Sequence, residues 1–469
     1  MIKFGTSGWR ALMGDEFTFH NVRIVVQAIC NSLKGEGRSQ RGVLVGYDTR
    51  FLSDRFAREA AKVLSHNRIT CYVCDRDAPT PAISYEIIRR NLDGAINFTA
   101  SHNPPEYNGL KFSTEDGAPA LPEITHRIEQ QIRKLEQEKQ QPSYDPIDEY
   151  IHEVDISEPY LKLISSKIDF EKIARSGLLI AVDPLYGTAR DYLDRMLIES
   201  GCSCEVIHNF KDPYFGGYSP ECSEQNLAEL RATMLRKGCH LALATDGDAD
   251  RFGILDRSGD FVAPNYILAL LLRYIQRTRP HLTGGVARSV ATTHLLDRLA
   301  ERQGTPLYET PVGFKFISEL MLEGKLMMGG EESAGFTMSQ HLPEKDGILA
   351  CLLVAEMSAS TTRSLSEMVT EMFSETGPLF NHRLNLKVTA EHAERLNEKL
   401  QDPPGNLGGR KVATVNRMDG VKMILEDGSW LLLRPSGTEP LIRLYAEAPT
   451  REDLAALLDA GRNFIAQFQ

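Results

Sequence analysis

Asp93-Gly-Ala-Ile-Asn-Phe98 runs directly into Thr99-Ala-Ser101-His102-Asn-Pro104-Pro105. The first segment is apolar and reads as a buried strand. The second places a serine and a histidine at the exposed tip of a turn that two prolines terminate. A serine held at such a tip can act as a nucleophile or a phosphate carrier. Upstream, the pattern is periodic. Val43-Leu-Val-Gly-Tyr47 reads as a strand, and 54–64 as a helix with Asp54 near its N-cap. A strand over 69–74 and a helix over 81–90 follow. The same rhythm restarts at Leu178-Leu-Ile-Ala-Val182 and runs to Leu241-Ala-Leu-Ala244. It restarts again with a helix over 266–275 and a strand over 285–290. Alternating strands and helices imply α/β layers with largely parallel sheets. Three blocks imply three similar α/β domains.

The tail differs. From about Phe380 the order becomes strand, helix, several strands, helix, with the turn Glu426-Asp-Gly-Ser429 between two strands. That is a smaller α+β domain. The polar stretch from Gln137 to Tyr150 reads as a linker after a charged helix. The expected division is 1–150, 151–257, 258–373 and 374–469.

Length agrees with this division, since 469 residues exceed one core at roughly 100–150 residues per domain. No apolar run approaches the roughly 20 residues of a membrane span. The longest candidate, 266–275, is broken by Arg273, and Met1-Ile-Lys-Phe-Gly lacks a signal-peptide core. A cytoplasmic protein with no membrane partner is expected. A net charge of −11 argues against a nucleic-acid partner, which would call for a basic face. It leaves room for a local basic pocket that takes an anionic metabolite. Of eight cysteines, Cys71-x-x-Cys74 and Cys202-x-Cys204 fall inside strand-like runs. Reduced, buried thiols fit them better than a zinc or redox site.

Asp246-Gly-Asp248-Ala-Asp250-Arg251 directly follows the strand 241–244. Three alternate carboxylates can converge on one hard cation. A calcium loop of the EF-hand kind is excluded, because its glycine and glutamate positions are Arg251 and Arg257. A solvated acidic turn is the plainer alternative. The position at the C-terminal edge of a parallel strand favours metal, and magnesium over calcium, since such sites keep a place open for a phosphate oxygen.

Gly330-Glu331-Glu332-Ser333-Ala334-Gly335 suits a polyhydroxylated ligand, because carboxylates accept hydrogen bonds from sugar hydroxyls. Arg434-Pro-Ser436-Gly437-Thr438-Glu-Pro440, with Arg443 beyond, has the makings of a phosphate clamp. Gly5-Thr-Ser-Gly8-Trp-Arg10 is a second glycine-flanked loop that ends in an arginine. Taken singly, each of these can also be an ordinary polar turn. A Walker loop, a dinucleotide fingerprint and a nucleophile elbow are all absent from the sequence.

With all four clusters in order, one per domain, the sequence resembles the α-D-phosphohexomutase superfamily over essentially its whole length. The resemblance implies an α/β protein: three similar α/β/α domains with mixed, largely parallel sheets, and a smaller C-terminal α+β domain around a central cleft. It makes Ser101 a phosphoserine and a magnesium ligand with Asp246, Asp248 and Asp250. It makes Arg10, His102 and Lys111 neighbours of that phosphoserine, with His102 and Lys111 as acid/base candidates. Glu331 and Ser333 fall on the sugar loop. Arg434, Ser436, Gly437, Thr438 and Arg443 fall on the phosphate loop, and Arg251, Gly313 and Lys315 on expected substrate contacts. The activity implied is exchange of glucose 1-phosphate and glucose 6-phosphate, with glucose 1,6-bisphosphate as activator and intermediate. Gly-Glu-Glu-Ser-Ala-Gly looks like the phosphoglucomutase branch. Phosphoglucosamine mutases tend to Gly-Glu-Gln-Ser-Gly-His, and mannose/glucose mutases to Gly-Glu-Met-Ser-Gly-His. Phosphomannomutase or dual activity, a phosphatase, and a catalytically silent sugar-phosphate-binding protein are the alternatives. Monomer and homodimer are both compatible with this reading.

Overall fold

The computed structural model describes residues 2–5, 8–435 and 441–467. Its first three units repeat one topology. The first sheet has the order Trp9–Leu12, Tyr107–Thr114, Gly94–Phe98, Val43–Tyr47, Cys71–Cys74, Ile151–Val154. The second runs Phe252–Leu255, Leu241–Thr245, Leu179–Asp183, Ser203–Val206. The third runs Gly335–Met338, Leu326–Glu331, Gly285–Ser289, Leu307–Thr310. In each sheet a core of three parallel strands is followed by one antiparallel return: Gly94–Phe98 to Tyr107–Thr114, Leu241–Thr245 to Phe252–Leu255, Leu326–Glu331 to Gly335–Met338. The loop inside that return carries, in turn, Ser101, the three aspartates, and Glu331 to Ala334. Three repeats of one topology thus present three different chemistries at equivalent places.

The strands form because their residues are apolar on both faces. All five residues of Val43–Tyr47, Gly94–Phe98 and Leu241–Thr245 are buried, as sheets covered by helices on both sides require. The first helix after Val43–Tyr47 begins at Ser53, behind a left-handed Leu52 (φ +62°). Asp54 therefore sits in its first turn rather than at the cap, where its charge still complements the helix dipole. The polar stretch read as a linker leads back into the first unit: Ile151–Val154 pairs in parallel with Cys71–Cys74 and completes the first sheet. Cys71 and Cys74 lie buried in their strand, all eight cysteines are free, and burial pushes both thiols up.

One apolar core runs through the first three units, from Ile2 to Leu379. At its centre lies the helix Gly347–Ala359, buried along eleven residues from Gly347 to Met357. A helix apolar on every side has no place but a core. The fourth unit has its own core, from Leu396 to Ile465, under a six-stranded antiparallel sheet. It docks on the third through Val290, Ala291, Trp430, Leu432 and Tyr445. No helix among the described residues is long and apolar enough to cross a membrane.

Candidate active site

Ser101 adopts a left-handed backbone (φ +51°) and is only 1% exposed. This corrects the exposed tip expected from sequence. The turn does project from its own unit, but the acidic loop of the second unit closes over it. A Cβ on Gly247 would lie 2.8 Å from the Ser101 carbonyl oxygen, so glycine is what permits that approach. Ser101 Oγ donates to Asp246 Oδ2 at 2.9 Å, and His102 Nδ1 lies 3.3 Å from the same Oγ. Burial, then the charges of Arg251 and Arg10, hold the His102 imidazole well below its ordinary pKa, which keeps it neutral. Arg10, on the strand Trp9–Leu12, donates to Asn103 Oδ1 at 2.7 Å and so borders the same turn.

The three aspartates are buried, with oxygens all within 4.8 Å of one another. Asp246 Oδ1 accepts the backbone N–H groups of Asp250 and Arg251, each at 3.0 Å, which curls the loop around its own carboxylate. Asp248 Oδ2 accepts from Lys111 Nζ at 2.5 Å and from Thr80 Oγ1 at 2.6 Å. Asp250 Oδ2 lies 3.0 Å from Lys111 Nζ and 3.1 Å from Lys345 Nζ. Burial, then Asp250 and Asp248, raise the Asp246 carboxyl far above the carboxylate range. Asp250 is held below that range, because Lys111 and Lys345 outweigh its burial. Burial alone would lower the Lys111 amine, but Asp248 and Asp250 overcome it and keep it protonated. Asp248 Oδ1 and Asp250 Oδ1 are buried with no hydrogen-bond partner. Orphaned buried acceptors are costly, and a set of hard carboxylate oxygens with two lone positions fits a divalent cation such as magnesium.

The third loop joins the second directly. Arg251 and Gly335 form an antiparallel bridge, and Phe252 N donates to Ala334 O at 3.4 Å. Glu331 is 4% exposed and accepts Gly313 N at 2.8 Å, so the 311–315 run supports it. Burial, then the Glu332 carboxylate, push the Glu331 carboxyl up to about 7. Ser333 is half-buried beside it. Where a Cβ of residue 335 would stand, the Lys345 stem passes at 2.7 Å.

Lys315 faces the boundary between the first and third units. It opens the helix Phe314–Leu322 and lines a 450 Å³ cavity between the first and third units, with Arg38, Glu115, Asp116 and Glu319. Burial lowers its amine there. In the fourth unit Arg434 and Arg443 are direct cross-strand partners. Like charges placed opposite one another are unfavourable unless an anion lies between them. Arg434 Nε also donates to Asp419 Oδ2 at 2.8 Å, and that oxygen accepts Val312 N at 3.0 Å, which ties the Arg434 strand to the run that holds Glu331. Ser436, Gly437 and Thr438 lie outside the described residues.

The sequence reading missed Arg50, Thr80 and Lys345. Signals for two of them were present. Asp48-Thr-Arg50 follows the C-terminal end of a parallel strand, where ligand sites gather. Glu344-Lys345-Asp346 precedes a helix with no polar face, so its charges must turn inward at the helix start.

The chain matches the four family models described as phosphoglucomutase/phosphomannomutase alpha/beta/alpha domains I, II and III and C-terminal domain, over 1–139, 158–259, 263–376 and 384–463 respectively. It is 31% identical over 461 residues to a phosphoglucomutase/phosphomannomutase of Thermococcus kodakarensis, covering 98% of this chain and 97% of that one. It is 30% identical to a phosphoglucomutase of Komagataeibacter xylinus, covering 95% and 87%. The open form of parafusin, a phosphoglucomutase of Paramecium, superposes with a TM-score of 0.83 at 28% identity, covering 100% of this chain and 95% of that one.

Proposed function

This chain belongs to the phosphoglucomutase/phosphomannomutase family, and we propose that it interconverts glucose 1-phosphate and glucose 6-phosphate through a phosphoserine at Ser101 and a hexose 1,6-bisphosphate. The observation that carries this reading is the contact of Ser101 Oγ with Asp246 Oδ2 at 2.9 Å across two units. It puts a buried hydroxyl, three carboxylates and the amine of Lys111 in one place. In the first half-reaction a sugar hydroxyl attacks the phosphorus on Ser101. The sugar O–P bond forms, the Ser101 Oγ–P bond breaks, and the hydroxyl proton passes to a base. After the bisphosphate turns round, its other phosphoryl group returns to Ser101. Such transfers need placement and neutralised charge more than covalent chemistry.

The side chains divide the work. Neutral His102 beside Oγ can accept a proton, and protonated Lys111 can supply one. Asp246, Asp248, Asp250 and phosphorylated Ser101 would hold magnesium, which neutralises charge developing on the phosphoryl oxygens. Arg10, Arg251, Lys345 and Gly313 line or support the reacting centre. Glu331 and Ser333 grip hydroxyls that occupy similar places in both orientations of the intermediate. Arg434, Ser436, Gly437, Thr438 and Arg443 hold the phosphate that is not reacting.

Glucose is favoured over glucosamine and mannose by the third loop. Its Gly-Glu-Glu-Ser-Ala-Gly resembles the phosphoglucomutase branch, and the Lys345 stem passes 2.7 Å from where a Cβ of residue 335 would stand, the position that is His in the other two branches. A coupled assay with catalytic glucose 1,6-bisphosphate tests the reading. The ratio of kcat/KM for glucose, mannose and glucosamine 1-phosphates should favour glucose. A preference for glucosamine refutes the substrate, and no turnover of any hexose phosphate refutes the mutase.

A further inference from the structure

Arg50 is a fully buried cation that uses every donor it has. Its Nε donates to Asp48 Oδ2 at 3.1 Å. Nη1 donates to the carbonyls of Pro104 at 2.7 Å and Tyr107 at 3.0 Å. Nη2 donates to those of Ser101 and Asn103, both at 2.6 Å. Four carbonyls of one turn thus converge on one planar fork, a pattern that an ammonium group cannot reproduce. The guanidinium is also covered from the second unit: the Phe215 ring centroid lies 5.0 Å from Arg50 Cζ.

Phe215 is itself fully buried and left-handed (φ +49°), a backbone state that bulky residues rarely hold. Gly216 and Gly217 continue in the same region, and Asp212 fixes the bend by accepting from the backbone N–H groups of Tyr214 and Gly216, both at 2.9 Å. The same segment continues to Pro220, whose carbonyl accepts Gly247 N of the acidic loop at 3.1 Å. One stretch of the second unit therefore covers Arg50, which holds the Ser101 turn, through Phe215 and touches the aspartate loop through Pro220.

We propose that Arg50, covered by Phe215, is the positioning residue that shapes the Ser101 turn and sets it in register with the aspartate loop. This rests on the reading of Ser101 as phosphoryl carrier. The five donors of Arg50 go to Asp48 and four carbonyls, and none goes to Oγ. Arg50 sets the place of Oγ through the carbonyls, and it lends buried positive charge where a phosphoryl group adds about −1.5 to −2 beside three aspartates. Small misplacement of a reacting atom costs rate rather than affinity.

The test uses the full chain with Arg50→Lys, Phe215→Ala and the conservative Phe215→Tyr. Arg50→Lys should lower kcat roughly a hundredfold and Phe215→Ala roughly tenfold, with KM for glucose 1-phosphate within about threefold of the parent. Phe215→Tyr should stay near parental. Amide hydrogen exchange over 99–110 should rise in Arg50→Lys and Phe215→Ala. Where Arg50→Lys fails to fold, Phe215→Ala decides. Parental kcat and parental exchange in folded Phe215→Ala overturn the proposal, as does a rise in KM with kcat unchanged. A parent inactive on every hexose phosphate defeats the functional reading instead, and the exchange measurement then still decides whether Arg50 and Phe215 hold the turn.

Discussion

Replacing Glu331 by glutamine should make the protein more stable and less active at the same pH. The carboxyl is 4% exposed and pushed from 4.5 up to about 7, first by burial and then by Glu332. A carboxyl whose pKa is higher folded than unfolded binds its proton more tightly in the fold. That stabilisation is complete below about 4.5 and is lost as the pH rises through 7. At roughly 1.36 kcal/mol per pH unit, ionising Glu331 in place costs at most about 3 kcal/mol at pH 8. Glutamine keeps the shape and the acceptor for Gly313 N–H, and it never ionises. Glu331→Gln should therefore match the parent near pH 4.5 and exceed it by up to about 3 kcal/mol at pH 8. Because Glu331 lies in the units that share the one core from Ile2 to Leu379, and unfolding entropy is about 2.1 cal/mol/K per residue, this amounts to roughly 4 °C in Tm. Loss of the charged acceptor for a sugar hydroxyl, worth about 1.5–3 kcal/mol, should lower kcat/KM ten- to a hundredfold. Thermal scans from pH 4.5 to 8, paired with the coupled assay, decide it. A variant no more stable than the parent at pH 8, or a gap independent of pH, refutes the reasoning. The expected pairing marks a charge kept for function against stability.

Ser101→Ala should abolish turnover and remove the roughly 80 Da that intact mass should find on the active parent; a fully active alanine enzyme contradicts the phosphoserine. Asp248→Asn should lower turnover by two to four orders of magnitude, on the basis of the several kcal/mol a metal contributes, while circular dichroism stays parental. Undiminished parental activity in excess chelator contradicts it as well. Arg434→Ala should weaken glucose 1-phosphate and glucose 6-phosphate by a similar factor, roughly tenfold, since one clamp serves both orientations. Unchanged binding of both by calorimetry would show that Arg434 serves Asp419 alone.

Much of the fold was legible because its signals are local. Val43–Tyr47 and Leu241–Thr245 are short apolar runs between helix patterns, and their type follows from neighbours in sequence. The aspartate loop was legible for the same reason: its alternate carboxylates lie within five residues, at a strand end. Register between distant segments carries no such signal. Nothing in 137–150 announces that Ile151–Val154 returns to the first sheet, since a parallel partner 80 residues away is chosen by tertiary fit.

Burial of charge was the other thing composition could not show. Ser101 looked exposed because its turn is polar; the second unit makes it a core residue. Lys315 sits in a promising motif, and only the structure shows that it lines a cavity with Arg38, Glu115 and Asp116 of the first unit. Arg50 and Lys345 carried only generic sequence cues, since an arginine after a strand and a lysine before a helix are usually solvated. Their roles arise because four carbonyls of one turn and one carboxylate from another unit converge on them in space. The sequence by itself determined which chemical groups are available and which local elements carry them. The tertiary structure decided which groups lose water together, and with that their pKa values and their partners. Desolvation depends on every atom packed nearby, whatever its distance along the chain.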